Sequence, residues 1–133
     1  RKKLERRAWG LTMPLITKAD GTKFGKTESG TIWLDAKRTS VYQFYQFWIN
    51  TDDRDVIRYL RFFTLLPQAQ VEALEAAHTA DPGKREAHRA LAEAMTIMLH
   101  GEAACKAAIQ ASAILFGGAV DDITVETLAI LRT

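Results

Sequence analysis

Residues 17–30 read TKADGTKFGKTESG: three glycines, three lysines and no large aliphatic residue, directly after the apolar run LTMPLI at 11–16. Gly21, Gly25 and Gly30 can adopt positive φ and let the backbone approach a ligand closely, while Lys18, Lys23 and Lys26 supply charge and Thr27 a hydroxyl. Such a loop suits an anion, and phosphate above all. Spacing argues against a P-loop, which places four residues between its first glycine and the Gly-Lys-Thr. Here Gly21 is followed by only Thr22, Lys23 and Phe24 before Gly25, Lys26 and Thr27. The residues that follow, ESGTIW, carry Gly30 and the β-favouring Thr31, Ile32 and Trp33 where a P-loop would begin its helix.

Outward from the loop, residues 1–8 are charged and helix-compatible, and Leu11 to Ile16 read as a short extended segment with Pro14 tolerable at an edge or strand end. TIWLD at 31–35 is a second extended piece, and helical signals take over after it. Ser40 is positioned to cap VYQFYQFWIN, in which Val41, Phe44 and Trp48 share a face that Tyr45 and Phe47 widen. Aromatics at this spacing can stack on nucleobases, but the pattern is that of a core-facing stripe. Asp52 is expected to cap DRDVIRYLRFFTLL, with Val56, Leu60 and Phe63 inward and Arg54, Arg58 and Arg61 outward. That arginine row is either an RNA-facing strip or a solvated face paired with Asp55 and other local acids. Pro67 suits the first turn of QAQVEALEAAHT, and Asp81, Pro82 and Gly83 mark a turn. KREAHRALAEAMTIMLH then predicts a long helix with Ala87, Leu91, Ala94, Met95 and Met98 inward. After Gly101, EAACKAAIQASAILF carries a small-residue face of Ala104, Ala108, Ala111 and Leu115 and is ended by Gly117 and Gly118; a last short helix is expected over Val125 to Leu131.

At 133 residues and 47% hydrophobic the chain can bury one core, as one domain with an appendage. The single cysteine, Cys105, excludes an internal disulfide framework and reads as a small packing residue in a reducing compartment. His78, His88 and His100 have no partner at metal-ligand spacing, so the sequence supports no metal site. The net charge of +2 conceals an asymmetry, because residues 1–38 carry ten Lys or Arg against four Asp or Glu and the remainder carries eight against twelve. The basic end coincides with the glycine-lysine loop, and its field favours polyanions. No stretch is long and apolar enough to span a bilayer, and RKKLERRAWG lacks the apolar core of a signal peptide, so a cytoplasmic protein is expected.

The segment LTMPLITKADGTKFGKTESGTIWLDAKRTS, followed by YQFYQFWIN and VIRYLRFFT, resembles bacterial tyrosyl-tRNA synthetases where the class I nucleotide-binding fold passes into the helical anticodon-binding domain. The resemblance is dense from Gly10 to Leu66 and looser through Gly118. It implies a mainly α fold, a helical bundle over 39–133, preceded by the end of the catalytic α/β domain over 1–38 with a mobile loop. KFGKT, Lys23 to Thr27, then matches the K-M-S-K-S loop, with Phe24 and Gly25 in the form associated with the tyrosyl branch. By that match Lys23, Lys26 and Thr27 are catalytic, and Lys26, Lys23 and Gly25 contact ATP, with Mg2+ accompanying it. Asp52 or Asp53 corresponds to an acidic contact to the wobble-position base, and Arg58 joins them as a candidate RNA contact. The implied partners are tRNA(Tyr), ATP and tyrosine, in a parent that dimerises through its catalytic fold. The chain reads as an internal piece of that parent, without the H-I-G-H loop and tyrosine pocket and inactive alone. A helical RNA-binding module without catalysis is the alternative.

Overall fold

A computed structural model describes residues 9–13, 15–27, 30–115 and Thr127, with residues 26, 27 and 30 described by their backbone. The helix expected over 1–8, the terminator Gly117–Gly118 and most of the helix expected over 125–131 lie outside the described residues. Two short antiparallel strands come first, β1 (Lys26–Thr27) and β2 (Gly30–Thr31), paired Lys26 to Thr31 and Thr27 to Gly30. Among the described residues the helices α1 (Val41–Ile49), α2 (Val56–Phe63), α3 (Gln68–Ala80), α4 (Glu86–His100) and α5 (Glu102–Leu115) follow, with a 3-10 turn at Pro82–Lys84 before α4. The expectation of a mainly α chain holds.

Helix α1 starts where the sequence places it. Gln43 N donates to Ser40 Oγ and Ser40 N donates to Gln43 Oε1, a reciprocal cap that satisfies two otherwise unpaired donors. Its aromatic stripe is core: Phe44, Tyr45 and Trp48 are buried, with Val41 and Phe47 packed at the margin.

Helix α2 begins later than expected. The Asp52 carboxylate accepts from Arg54 N at 2.9 Å and its carbonyl accepts from Asp55 N and Val56 N, so residues 52–55 form a separate turn. Asp52 therefore caps that turn, and α2 has Asp55 before its first residue with no side-chain cap. The helix also stops early, at Phe63. Pro67 disfavours helical geometry at Leu66, and Thr64 turns extended while its hydroxyl donates back to Leu60 O.

Helix α4 is the hub, in contact with each of the other four. Ala87, Leu91 and Ala92 are fully buried, and the two alanines let neighbouring helices approach closely. His88 and Thr96 are buried on the same helix, whereas Met98, expected inward, is exposed. Gly101, at φ +86°, reverses the chain between α4 and α5, a conformation that carries little cost only for glycine. On α5, Ala108 and Ala111 are buried as expected, Cys105 and Ala107 join them, and Leu115 is exposed. Burial, reinforced by the negative charge of Glu93, pushes the Cys105 thiol up to about 11, which agrees with a packing role. Thr127 is buried and its hydroxyl donates to Gln110 Oε1 of α5. No helix among the described residues is long and apolar enough to cross a membrane.

Candidate functional site

The glycine-lysine loop is built as two successive turns. In the first, Thr17 pairs with Lys23 in an isolated antiparallel bridge, Lys18 N donates to Thr22 O, and Gly21 N donates to Lys18 O with Gly21 at φ +82°. Asp20 accepts from both the hydroxyl and the backbone N–H of Thr22, at 2.6 and 2.8 Å. Those two hydrogen bonds, aided by Lys18 and Arg54, hold its carboxyl below the usual carboxylate range. Gly25, at φ +80°, then redirects the chain into β1, which carries Lys26 and Thr27.

Two devices fix this loop to the helices. Phe24, the central residue of KFGKT's first half, inserts into an aromatic cluster from α1 and α2. Its ring centroid is 4.9 Å from Tyr59, 5.0 Å from Phe63, 5.7 Å from Trp48 and 5.8 Å from Phe47. Four such neighbours pack the half-buried Phe24 against the core, while Lys23 beside it stays exposed. The second device is polar. Ala19 N donates to Asp55 Oδ2 at 2.7 Å, Arg58 Nη2 donates to Asp55 Oδ1 and to Thr17 O, and Tyr59 Oη donates to Thr17 O at 3.3 Å. The Asp55 side chain is 3% exposed, so its charge is compensated by the guanidinium and the loop amide together.

The arginine row faces outward as expected, and its members are paired with acids. Arg58, though 40% exposed, commits its Nη2 to Asp55 and Thr17; Arg54 makes a forked pair with Asp52, and Arg61 pairs with Glu75. The Arg54 guanidinium, by hydrogen bonding, holds the Asp52 carboxyl well below the usual carboxylate range. Each of the three arginines thus has an acid, the solvated-face alternative. Asp53 presents an exposed carboxylate, one oxygen of which lies 3.1 Å from His88 Nε2.

Beside the loop, a groove of about 760 Å³ is lined by Lys18, Asp20 and Phe24 of the loop together with Gln46, Asp52 and Arg54. Asp55 and Phe24, which fix the loop, were both visible in the sequence as residue types. The contact between Asp55 and Ala19 spans 36 positions, and local spacing carries no signal for it.

Comparison with known proteins bears on the same residues. The family model described as tRNA synthetases class I (W and Y) matches residues 1–117. The chain belongs to this synthetase family. It is 62% identical over 120 residues to a tyrosine–tRNA ligase of Bacillus caldotenax, covering 90% of this chain and 29% of that protein. A tyrosine–tRNA ligase 2 of Enterococcus faecalis is 53% identical over 128 residues, 96% of this chain and 30% of its own length. The chain thus spans under a third of the length of these relatives. Among solved structures, the C-terminally truncated mitochondrial tyrosyl-tRNA synthetase of Coccidioides posadasii superposes with a TM-score of 0.63 at 37% identity, covering 74% of this chain and 25% of that one. The corresponding enzyme of Aspergillus nidulans gives 0.61 at 36% identity, with 65% and 25% covered. The synthetase resemblance read from KFGKT and the helices after it is therefore that of a family member.

Proposed function

We propose that this chain supplies the ATP-phosphate loop and the tRNA-binding helical domain of a tyrosine–tRNA ligase, which joins tyrosine to ATP as tyrosyl-adenylate and then transfers the tyrosyl group to tRNA(Tyr). The observation that carries this reading is the seating of KFGKT. Phe24 packs half-buried against the aromatic core while Lys23 is exposed and Gly25 holds a positive φ with open space around its Cα. A turn mounted this way keeps its base against the helices and leaves Lys23 available to an anion.

In the proposed reaction, a tyrosine carboxylate oxygen bonds to the α-phosphorus, the bond from that phosphorus to the bridging oxygen breaks, and pyrophosphate leaves with the electron pair. Negative charge grows on the phosphate oxygens. Lys23 and Lys26 oppose it, the Thr27 hydroxyl donates to it, and Gly25 lets the backbone come near. Mg2+ travels with the phosphates in this scheme, since the loop offers cations and its described carboxylate, Asp20, is already engaged by Thr22.

The domain boundary belongs to the same proposal: residues 1–38 close the catalytic nucleotide-binding domain and 39–133 form the helical domain. Trp9, Leu11, Met13 and Leu15 support it, because they alternate in a strand-like row and are all strongly exposed. A row of that kind suits a sheet contributed by the remaining length that the relatives possess. Asp52 and Asp53 are the proposed acidic contacts to the tRNA anticodon, and Arg58, which also holds the loop, is a further proposed RNA contact. The complete protein is proposed to be a cytoplasmic homodimer joined through its catalytic fold.

The test uses the full-length protein. Lys26→Ala should lower tyrosine-dependent ATP–pyrophosphate exchange by the equivalent of ~3 kcal/mol in the transition state while tyrosine binding stays nearly constant. Exchange at the unaltered rate would remove the loop from catalysis and favour the RNA-binding module without enzymatic output.

A further inference from the structure

Away from the loop, the fold assembles a group of side chains that no spacing in the sequence announces. Asp53 from the turn before α2, His78 from the last turn of α3 and His88 from the first turn of α4 each offer one ligand atom, and the three atoms lie within 4.8 Å of one another. His88 Nε2 is 3.1 Å from Asp53 Oδ1 and 3.1 Å from Thr51 O, and His78 Nε2 is 3.1 Å from Asp53 O. The two rings face each other with centroids 5.5 Å apart at 60°.

The ring partners are all oxygens that accept hydrogen bonds. A neutral imidazole has one N–H and one lone-pair nitrogen, so each ring here spends its N–H and leaves its lone pair unused. The Nδ1 atoms of both His78 and His88 are buried without a hydrogen-bond partner. A hydrogen-bonded latch alone therefore leaves two nitrogens unmatched. A cation held between Asp53 and the two Nε2 atoms, the ring nitrogens nearest that residue, would take their lone pairs in place of the hydrogen bonds to oxygen and move each ring's N–H to Nδ1.

We propose that Asp53, His78 and His88 form a divalent transition-metal site, suited to Zn2+, that ties the turn before α2 to the adjoining ends of α3 and α4. Two imidazoles and one carboxylate are the donors of zinc-type ions, whereas Mg2+ and Ca2+ take oxygen ligands. Coordination requires donors at roughly 2.0–2.2 Å from the metal, closer together than 4.8 Å. The movement falls to Asp53, which is exposed, and His78, which is half-buried, while His88 is fixed in the core. Arg85 at the start of α4 bears a positive charge that acts on His88 and opposes an incoming cation. With three protein ligands and that charge nearby, the site is weaker than a closed four-ligand zinc site.

The experiment is titration of the chelator-stripped 133-residue chain with ZnCl2 by calorimetry and with CoCl2 by visible absorption. One ion per chain is expected, with zinc shifting the ring NMR signals of His78 and His88 and leaving those of His100 in place. Asp53 is exposed and His78 half-buried, so Asp53→Asn and His78→Asn should both keep the helical circular dichroism. Each should weaken zinc binding by about tenfold or more. Absence of saturable binding by either metal overturns the proposal, and so does binding that is undiminished in both variants. Neither result touches the ATP-loop reading, which is measured by pyrophosphate exchange.

Discussion

A single buried carboxylate decides where the loop begins. Asp55 takes the Ala19 N–H on one oxygen and the Arg58 guanidinium on the other, and Arg58 reaches Thr17 as well. Asp55→Ala removes both acceptors, leaving an amide and a cation without their partner. Breaking a fully buried pair costs about 3–5 kcal/mol, but Arg58 retains access to water, so the expected loss is nearer 2 kcal/mol, in the range of a hydrogen bond to a charged group. Asp55→Asn should recover part of it, since the amide oxygen can still accept from Ala19. Urea unfolding gives the stability, and amide exchange at Ala19 gives the local effect. Wild-type stability and protection in Asp55→Ala would show that the loop is held elsewhere. The sequence contains the Asp55–Arg58 pair at i,i+3, and that much was legible. Its use as a clamp was not, because the third member lies 36 residues away.

At the scale of elements, the aromatic stripe of α1 and the face of α2 make a socket for one residue of the loop. Phe24 lies against Tyr59 and Phe63 of α2 and against Phe47 and Trp48 of α1, so the loop and two helices share one hydrophobic unit. Phe24→Ala should destabilise the chain by about 3 kcal/mol, the lower end for truncating a buried phenylalanine because Phe24 is only partly enclosed. The folded-state emission of Trp48 should change in the same variant, since a ring is lost beside the indole. A variant with wild-type stability would mean that the loop does not lean on the helices. Helices α1, α3, α4 and α5 were legible from apolar spacing, a cap at Ser40 and breakers at Pro67, Gly83 and Gly101. The start of α2 was not, because Asp52 is as good a cap for a short turn as for a helix. The Asp53, His78 and His88 group escaped for a related reason: its members come from three elements, and spacing within one element cannot reveal it.

For the whole molecule, one buried and one half-buried histidine on the hub helix link stability to pH. Burial holds His88 below the ordinary imidazole value, Arg85 adds to the effect, and Asp53 works against it. His100, at the other end of α4, is lowered by burial; its ring meets the edge of Phe44 at 5.1 Å, and its Nε2 is buried without a partner. In the unfolded chain both rings titrate near 6.5. Just below that pH the unfolded state binds more protons than the folded state, so stability rises with pH across the window between the folded and unfolded values. The contribution of both rings is complete above about 6.5 and declines as pH falls below it. Asp52 acts in the same direction only under about pH 4, where an unfolded aspartate begins to protonate, and its exposure keeps the effect small. Melting temperatures recorded with chelator present should therefore drop between pH 7 and pH 5.5. His100→Phe keeps a ring against Phe44 and removes one titrating group, so its melting temperature should fall less over the same interval. Should the wild-type chain melt at a constant temperature from pH 7 to pH 5.5, or should His100→Phe follow the wild-type slope, neutral burial of these rings is not what sets acid stability.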